Sequence, residues 1–300
     1  MGYSLAPSLR HDAPVPPRRA QLLMALSAAF FGVMAFAAKL AARGLSGGEV
    51  AFFRFVFITL PVLLVPSAAR QAVTIQRLDL LFYRGFFGGT AVLLYFLTIA
   101  HIPVGIAALL TYSSPVFAVA FAAGFLGERV HPRLLLPSAA ALVGLVLSAG
   151  GGGAGIRFGR WEAVGLASAV FSGAAVAAIR AARRTEGSWA VFGSFTLFGL
   201  LASAPFGIVG FRPPSLREWL LLAVVGACSV VAQFLMTYSY RWVTNLQAGV
   251  INQLTVVLSL SLGVIFLGDR LTPVQVLGVL LTLSGVVGVV WLQGTPRAVE

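Results

Sequence analysis

Tyr95, Tyr112, Ser113, Gln233, Tyr238, Asn252 and Gln253 fall inside long apolar runs of this sequence, where a polar group is costly unless it meets a partner, water or a solute. Their chemistry is recognition, not bond breaking. Phenols and primary amides donate and accept hydrogen bonds, and a tyrosine ring adds a face on which an aromatic solute can stack. Ser229, Gln233 and Thr237 share one helical face at i, i+4 spacing, with Tyr238 beside them. Thr111-Tyr112-Ser113-Ser114 stands directly before Pro115, which withholds an N–H and clashes with the preceding turn, so the helix should bend there as a static kink or as a hinge. Any single Ser or Thr in such a run can equally be glue between helices. Tyr83, nearer the end of its run, is either a site residue or an interface anchor. Arg54 lies deep in its run and needs carbonyls, water or a solute carboxylate. Lys39 and Arg84 lie closer to run ends, where long stems reach the headgroups, although Lys39 stays among the binding candidates.

What is missing narrows the chemistry further. Asp12, Glu49, Asp79, Glu128, Glu162, Glu186, Glu218, Asp269 and Glu300 are all the acids, and every one lies in a loop or at the end of an apolar run. Proton-driven exchange through a buried carboxylate therefore has no carrier. There is no Gly-x-x-x-x-Gly-Lys-Ser/Thr phosphate loop. His11, His101 and His131 are scattered, and Cys228 is the only cysteine, so neither a metal site nor a disulfide framework is expected. The glycine-rich run over 150–155 has no strand before it and reads as a flexible outer loop. Neither a cofactor nor an enzymatic activity is expected. With Lys39, Arg54 and Arg84 the only cations in apolar runs, a neutral or zwitterionic solute with an apolar side chain fits better than a phosphorylated one.

The elements that must hold these groups are membrane helices. The 300 residues are 59% hydrophobic and only 10% charged, with a mean hydropathy of +0.94, outside the range of soluble domains. The net charge of +12 is spread between apolar runs, so loop charges explain it and nucleic acid does not. Ten runs can each cross the bilayer as an α-helix: about 20–42, 48–66, 78–100, 103–126, 134–150, 162–182, 188–209, 217–240, 245–267 and 273–292. Residues 1–19 read as a disordered cytosolic tail, 151–160 as an outer linker and 293–300 as a second cytosolic tail. Alternate loops carry twelve and six Lys and Arg, which places both termini in the cytoplasm of a bacterial-type inner membrane.

Phe125-Leu-Gly-Glu-Arg-Val-His-Pro132 closes the fourth span and Phe266-Leu-Gly-Asp-Arg-Leu-Thr-Pro273 closes the ninth, 141 residues later. The same shift places Ala107 on Ala248 and Leu94 on Leu235, while a shift of 140 places Phe31 on Phe171 and Ala35 on Ala175. The chain thus reads as two five-helix halves, 20–150 and 161–292. An odd number of crossings inverts the second half, a pattern of secondary transporters in which either side of a central site can open. Gly249 and Gly263 would supply bending in the ninth span, which has Val256 where the fourth has Pro115.

Two halves that each end their fourth helix in Phe-Leu-Gly-acid-Arg, with Ser114-Pro115 in the first half and Arg54 in the second span, resemble the drug/metabolite transporter superfamily. Within it the chain is most similar to the EamA-type exporters of aromatic and neutral amino acids. The resemblance implies a ten-helix basket whose third, fourth, eighth and ninth helices, with the first and sixth, surround a cavity, and efflux of a small solute from the cytoplasm. The bilayer is the surrounding partner, with a monomer expected. Other substrates, cationic or phosphorylated, and a receptor or scaffold that moves nothing stay open.

Overall fold

The computed structural model describes residues 17–73, 75–118, 121, 132–150, 159–182, 185–209, 211, 213–240, 242–243 and 245–294. Among these, all regular structure is helical. The helices are α1 (Pro17–Ala41), α2 (Gly47–Leu64), the short α3 (Pro66–Val73), α4 (Leu78–His101), α5 (Val104–Tyr112), α6 (Leu135–Gly150), α7 (Arg160–Ala182), α8 (Ser188–Ile208), α9 (Leu216–Ser239), α10 (Asn245–Leu262) and α11 (Pro273–Gly294). Seven of the described helices are long and apolar enough to cross a bilayer, and three shorter apolar ones accompany them. The tail over 1–16, most of the 151–160 linker and the first Phe-Leu-Gly-acid-Arg copy lie outside the described residues, as do residues 295–300.

Local signals set the ends of these helices. Ser46 and Glu49 form a reciprocal capping box at the start of α2, and Ser215 and Glu218 form one at the start of α9, satisfying backbone N–H groups that a helix leaves open. Pro115 has its effect at Ser113, where α5 ends before a further helical turn over 114–118. Gln253 Nε2 donates to the Tyr112 carbonyl at this break, at 3.3 Å. Gly263 opens a π-helical turn over Gly263–Leu267, and Gly268 closes it with φ of 72°, a left-handed conformation that favours glycine. Gly249 lies within the unbroken α10.

The packing recurs in reciprocal pairs. α1 packs on α9 as α4 packs on α7, α2 on α9 as α4 on α8, and α1 on α10 as α5 on α7, while α2 meets α8, α5 meets α10 and α6 meets α11. Ser27 Oγ donates to the Ala232 carbonyl at 2.6 Å and Ser168 Oγ to the Ala91 carbonyl at 2.8 Å; adding 141 to one residue of each pair and subtracting it from the other interchanges the two contacts. Glycine contacts obey the same rule. A Cβ on Gly144 would meet Thr282 N at 2.5 Å and Gly278 O at 2.7 Å, and one on Gly285 would meet Ala141 N at 2.5 Å and Pro137 O at 2.7 Å. The serine pair gives α1 and α7 a register of 141, in place of the 140 drawn from Phe31 and Phe171. In helices this rich in Ala and Phe, a one-residue slip still yields identities, whereas a hydrogen bond fixes the phase.

Polar contacts hold both ends of α4, the first from the other half of the chain and the second from α1 of its own half. At its N-terminal end the Glu186 carboxylate, just before α8, accepts the N–H groups of Gln76 at 3.0 Å and Arg77 at 2.6 Å. At its C-terminal end Lys39 Nζ donates to the carbonyls of Ile99, Ala100 and Ile102 at 2.9, 3.5 and 2.8 Å, a cationic cap on the negative end of the helix dipole. Asp269, from the second Phe-Leu-Gly-acid-Arg copy, accepts the Val104 N–H; burial pushes its carboxyl pKa up while nearby Lys39 pulls it down. Replacing Lys39 by Met keeps the stem and removes the cap, and should cost about 1–2 kcal/mol, read as earlier thermal unfolding in detergent.

Candidate functional site

Helices from both halves converge on a cavity of about 120 Å³. That falls well below the roughly 300–1,000 Å³ of a drug-sized pocket, so a larger solute must part the helices. α4 gives it one face at alternating spacings of four and three, Arg84, Gly88, Ala91 and Tyr95. Tyr112 and Thr111 come from α5, Gln233 from α9, Asn252 from α10, and Arg54 from α2. Phe31, Phe96 and Phe195 supply apolar wall, and among the described residues no Asp or Glu lines the cavity.

The structure thus brings together Tyr95, Tyr112, Gln233, Asn252 and Arg54 from the residues singled out by sequence. Tyr95 and Tyr112 meet edge to face with ring centroids 6.4 Å apart. Tyr95 Oη, Gln233 Nε2 and Asn252 Oδ1 are buried without a hydrogen-bond partner, a costly arrangement that a solute or water can relieve. Other candidates are placed elsewhere. Tyr83 is 52% exposed and stacks on Phe87, because one residue turns a helix by about 100° and carries it away from Arg84. Lys39 is spent on the α4 carbonyls, Ser113 Oγ donates to the Leu110 carbonyl, and Gln253 bridges the carbonyls of Tyr112 and Gly249. Tyr238 packs against Phe234 and Trp242. Pro115, Gly249 and Gly263 do not line the cavity.

Arg54, a structural charge by sequence, lies in the cavity wall. Its side chain is 1% exposed, Nε donates to Ser229 Oγ at 2.9 Å, and Nη1 has no partner. Its guanidinium carbon lies 5.1 to 5.6 Å from the ring centres of Phe55, Phe96 and Phe195, close enough for cation–π attraction. Arg84 is the residue that sequence reasoning missed. It does not snorkel: it is 2% exposed, its Nε has no partner, and its guanidinium carbon sits 4.2 Å from the Phe195 ring centre. Gly88 makes its room, since a Cβ there would collide with Arg84 Nη1. The signal was legible as Arg84, Gly88, Ala91 and Tyr95 on one helical stripe. Among the described residues neither arginine has a carboxylate partner.

A model of the EamA-like transporter family matches this chain twice, over residues 18–150 and 159–291. The chain belongs to the EamA-like transporter family. It is a multi-pass membrane transporter built from a duplicated unit, and its relatives are transporters, not enzymes. A pseudopaline exporter of Pseudomonas aeruginosa is 33% identical over 227 residues, 73% of this chain and 78% of its own length. An uncharacterised transporter of Helicobacter pylori is 27% identical over 268 residues, 84% of this chain and 88% of its own. A solved crystal structure matches with a TM-score of 0.64 and 22% identity over 92% of this chain and 97% of that one, a likeness of fold.

Proposed function

We propose that this EamA-family member exports amino acids and related small carboxylates across the inner membrane, by alternating access of two inverted five-helix halves with both termini in the cytoplasm. The observation that carries this reading is the acid-free cavity, where the unpartnered Nη1 of Arg54 stands beside Tyr95, Tyr112, Gln233 and Asn252. A solute carboxylate would neutralise Arg54 through charge-assisted hydrogen bonds. Its apolar part would pack among Phe31, Phe96 and the tyrosine rings, and the aromatic and other neutral amino acids are the members to try first. The reciprocal contacts at a shift of 141 support a two-fold exchange of the halves, which is what lets one site face either side. Gln253 donates to the Tyr112 carbonyl at the break in α5 just before Pro115, a place where that exchange can bend. Movement is facilitative in this reading, since among the described residues the cavity has no carboxylate to carry a proton.

Uptake of labelled Phe, Trp, Met, Leu, Lys and Glu into liposomes holding only this protein tests it, with and without an imposed pH gradient. Gradient-independent uptake of the neutral and aromatic members supports it, and no uptake of any amino acid overturns it. Tyr112→Ala and Gln233→Ala should each lower uptake about tenfold, the equivalent of one buried hydrogen bond, without loss of folded protein. Unchanged uptake in both removes these residues from the site. The named relative favours a second reading, in which pseudopaline is the solute moved, and adding it to the same panel decides between the two.

A further inference from the structure

We infer that the cavity selects solutes bearing two separated carboxylates, one at Arg54 and the other at Arg84. This rests on the cavity being the site of an exporter of carboxylate-bearing amino-acid metabolites. One buried guanidinium matches one α-carboxylate, and here there are two. Both side chains are almost wholly buried, both line the same cavity, and each presents an N–H with no acceptor: Nη1 of Arg54 and Nε of Arg84. Both lie against the Phe195 ring, with guanidinium carbons 5.6 and 4.2 Å from its centre, so their separation cannot exceed the sum of those distances. A short solute can bridge that gap.

The electrostatics point the same way. Among the described residues no acid lines the cavity and neither guanidinium has a carboxylate partner, so a bound zwitterion, with no net charge, leaves both positive charges of a low-dielectric site in place and gives a carboxylate to only one guanidinium. A solute with two carboxylates and one ammonium gives each guanidinium a carboxylate and halves the net positive charge. The geometry favours carboxylates on a single amphipathic solute, because the Phe195 ring lies against both cations and the tyrosine pair lines the same cavity. Gly88 is the structural provision for the second cation, since any side chain at that position would displace the Arg84 guanidinium.

The test uses the full chain in proteoliposomes with three probes: L-phenylalanine, its N-carboxymethyl derivative, and phenylpyruvate, which has the extra net charge without a second carboxylate. The N-carboxymethyl derivative should be taken up at least about tenfold more efficiently than either of the others, as one charge-assisted pair allows. In Arg84→Gln the ratio of the derivative to phenylalanine should fall to within about threefold of unity, and Gly88→Ala should lower the same ratio should Arg84→Gln fail to fold. Phenylalanine uptake without advantage for the derivative overturns the two-carboxylate inference and leaves the amino-acid reading standing. An advantage equal for phenylpyruvate, or one that survives in both variants, also overturns it. Failure of all three probes to move or to raise the protein's thermal stability overturns the inference and the reading beneath it together.

Discussion

Arg54→Met should lower uptake of every carboxylate solute at least about a hundredfold, the expected loss when one partner of a buried charged pair is removed, while the purified variant unfolds no earlier than the parent. The two readouts move apart for one reason. In the empty protein Arg54 is 1% exposed, bonded through Nε to Ser229 Oγ at 2.9 Å, with Nη1 unanswered. An uncompensated buried cation is a standing cost, and an apolar replacement of similar length removes it at the expense of one hydrogen bond. The flanking rings of Phe55, Phe96 and Phe195 form a surface on which methionine packs well. A variant that loses uptake and also unfolds markedly earlier would make Arg54 a structural residue. A variant that keeps uptake would remove it from the pathway. Uptake by the liposome assay and thermal unfolding in detergent separate these outcomes.

The position of Arg54 also shows where sequence reasoning reached its limit. Depth in an apolar run is legible from counting, and it correctly set Arg54, Tyr95, Tyr112, Gln233 and Asn252 inside the bundle. The phase of a helix is legible only when one face differs from the others, and most of these helices are apolar all round. Asn252 and Gln253 illustrate the consequence. They are neighbours of nearly equal chemistry, yet Asn252 lines the cavity and Gln253 reaches the Tyr112 carbonyl across the α5 break. Tyr83 and Arg84 divide the same way, outward and inward. The distance of Arg84 from the run end permits snorkelling. What decides otherwise is the room left by Gly88 and the ring of Phe195, from a helix more than a hundred residues away in sequence. The acid of the second Phe-Leu-Gly-acid-Arg copy shows the opposite case. Its motif signalled the repeat, and its physical task, capping the Val104 N–H, belongs to the other half of the chain.

Gly89→Leu should abolish the folded protein or lower its stability by at least about 3 kcal/mol, the upper part of the range for overpacking. A Cβ on Gly89 would meet the backbone of α8 at Gly199 N and Cα, 2.6 and 2.8 Å away. Gly199 in turn leaves space for the Phe55 ring, and Gly85 lies against the Ser194 carbonyl and the Phe198 ring. Neither backbone can yield without separating α4 from α8. In a bilayer no hydrophobic force re-closes such a gap, because lipid tails are as apolar as the side chains, so close approach through small residues is itself the adhesion between helices. The Gly85–Gly89 pair in the sequence also admits a different use, as a surface through which two copies of the chain associate. The two uses give different results for the same substitution. A dimer surface would leave a folded, stable monomer after Gly89→Leu, whereas the observed α4–α8 contact requires that the monomer itself fail. Size-exclusion profiles of a fluorescent fusion before and after mild heating distinguish them: an intact peak of half the parent's size would refute the packing argument, and loss of the monodisperse peak upholds it. Because α4 also carries Arg84 and Tyr95 into the cavity, partial survivors of this substitution should lose uptake before they lose the folded peak.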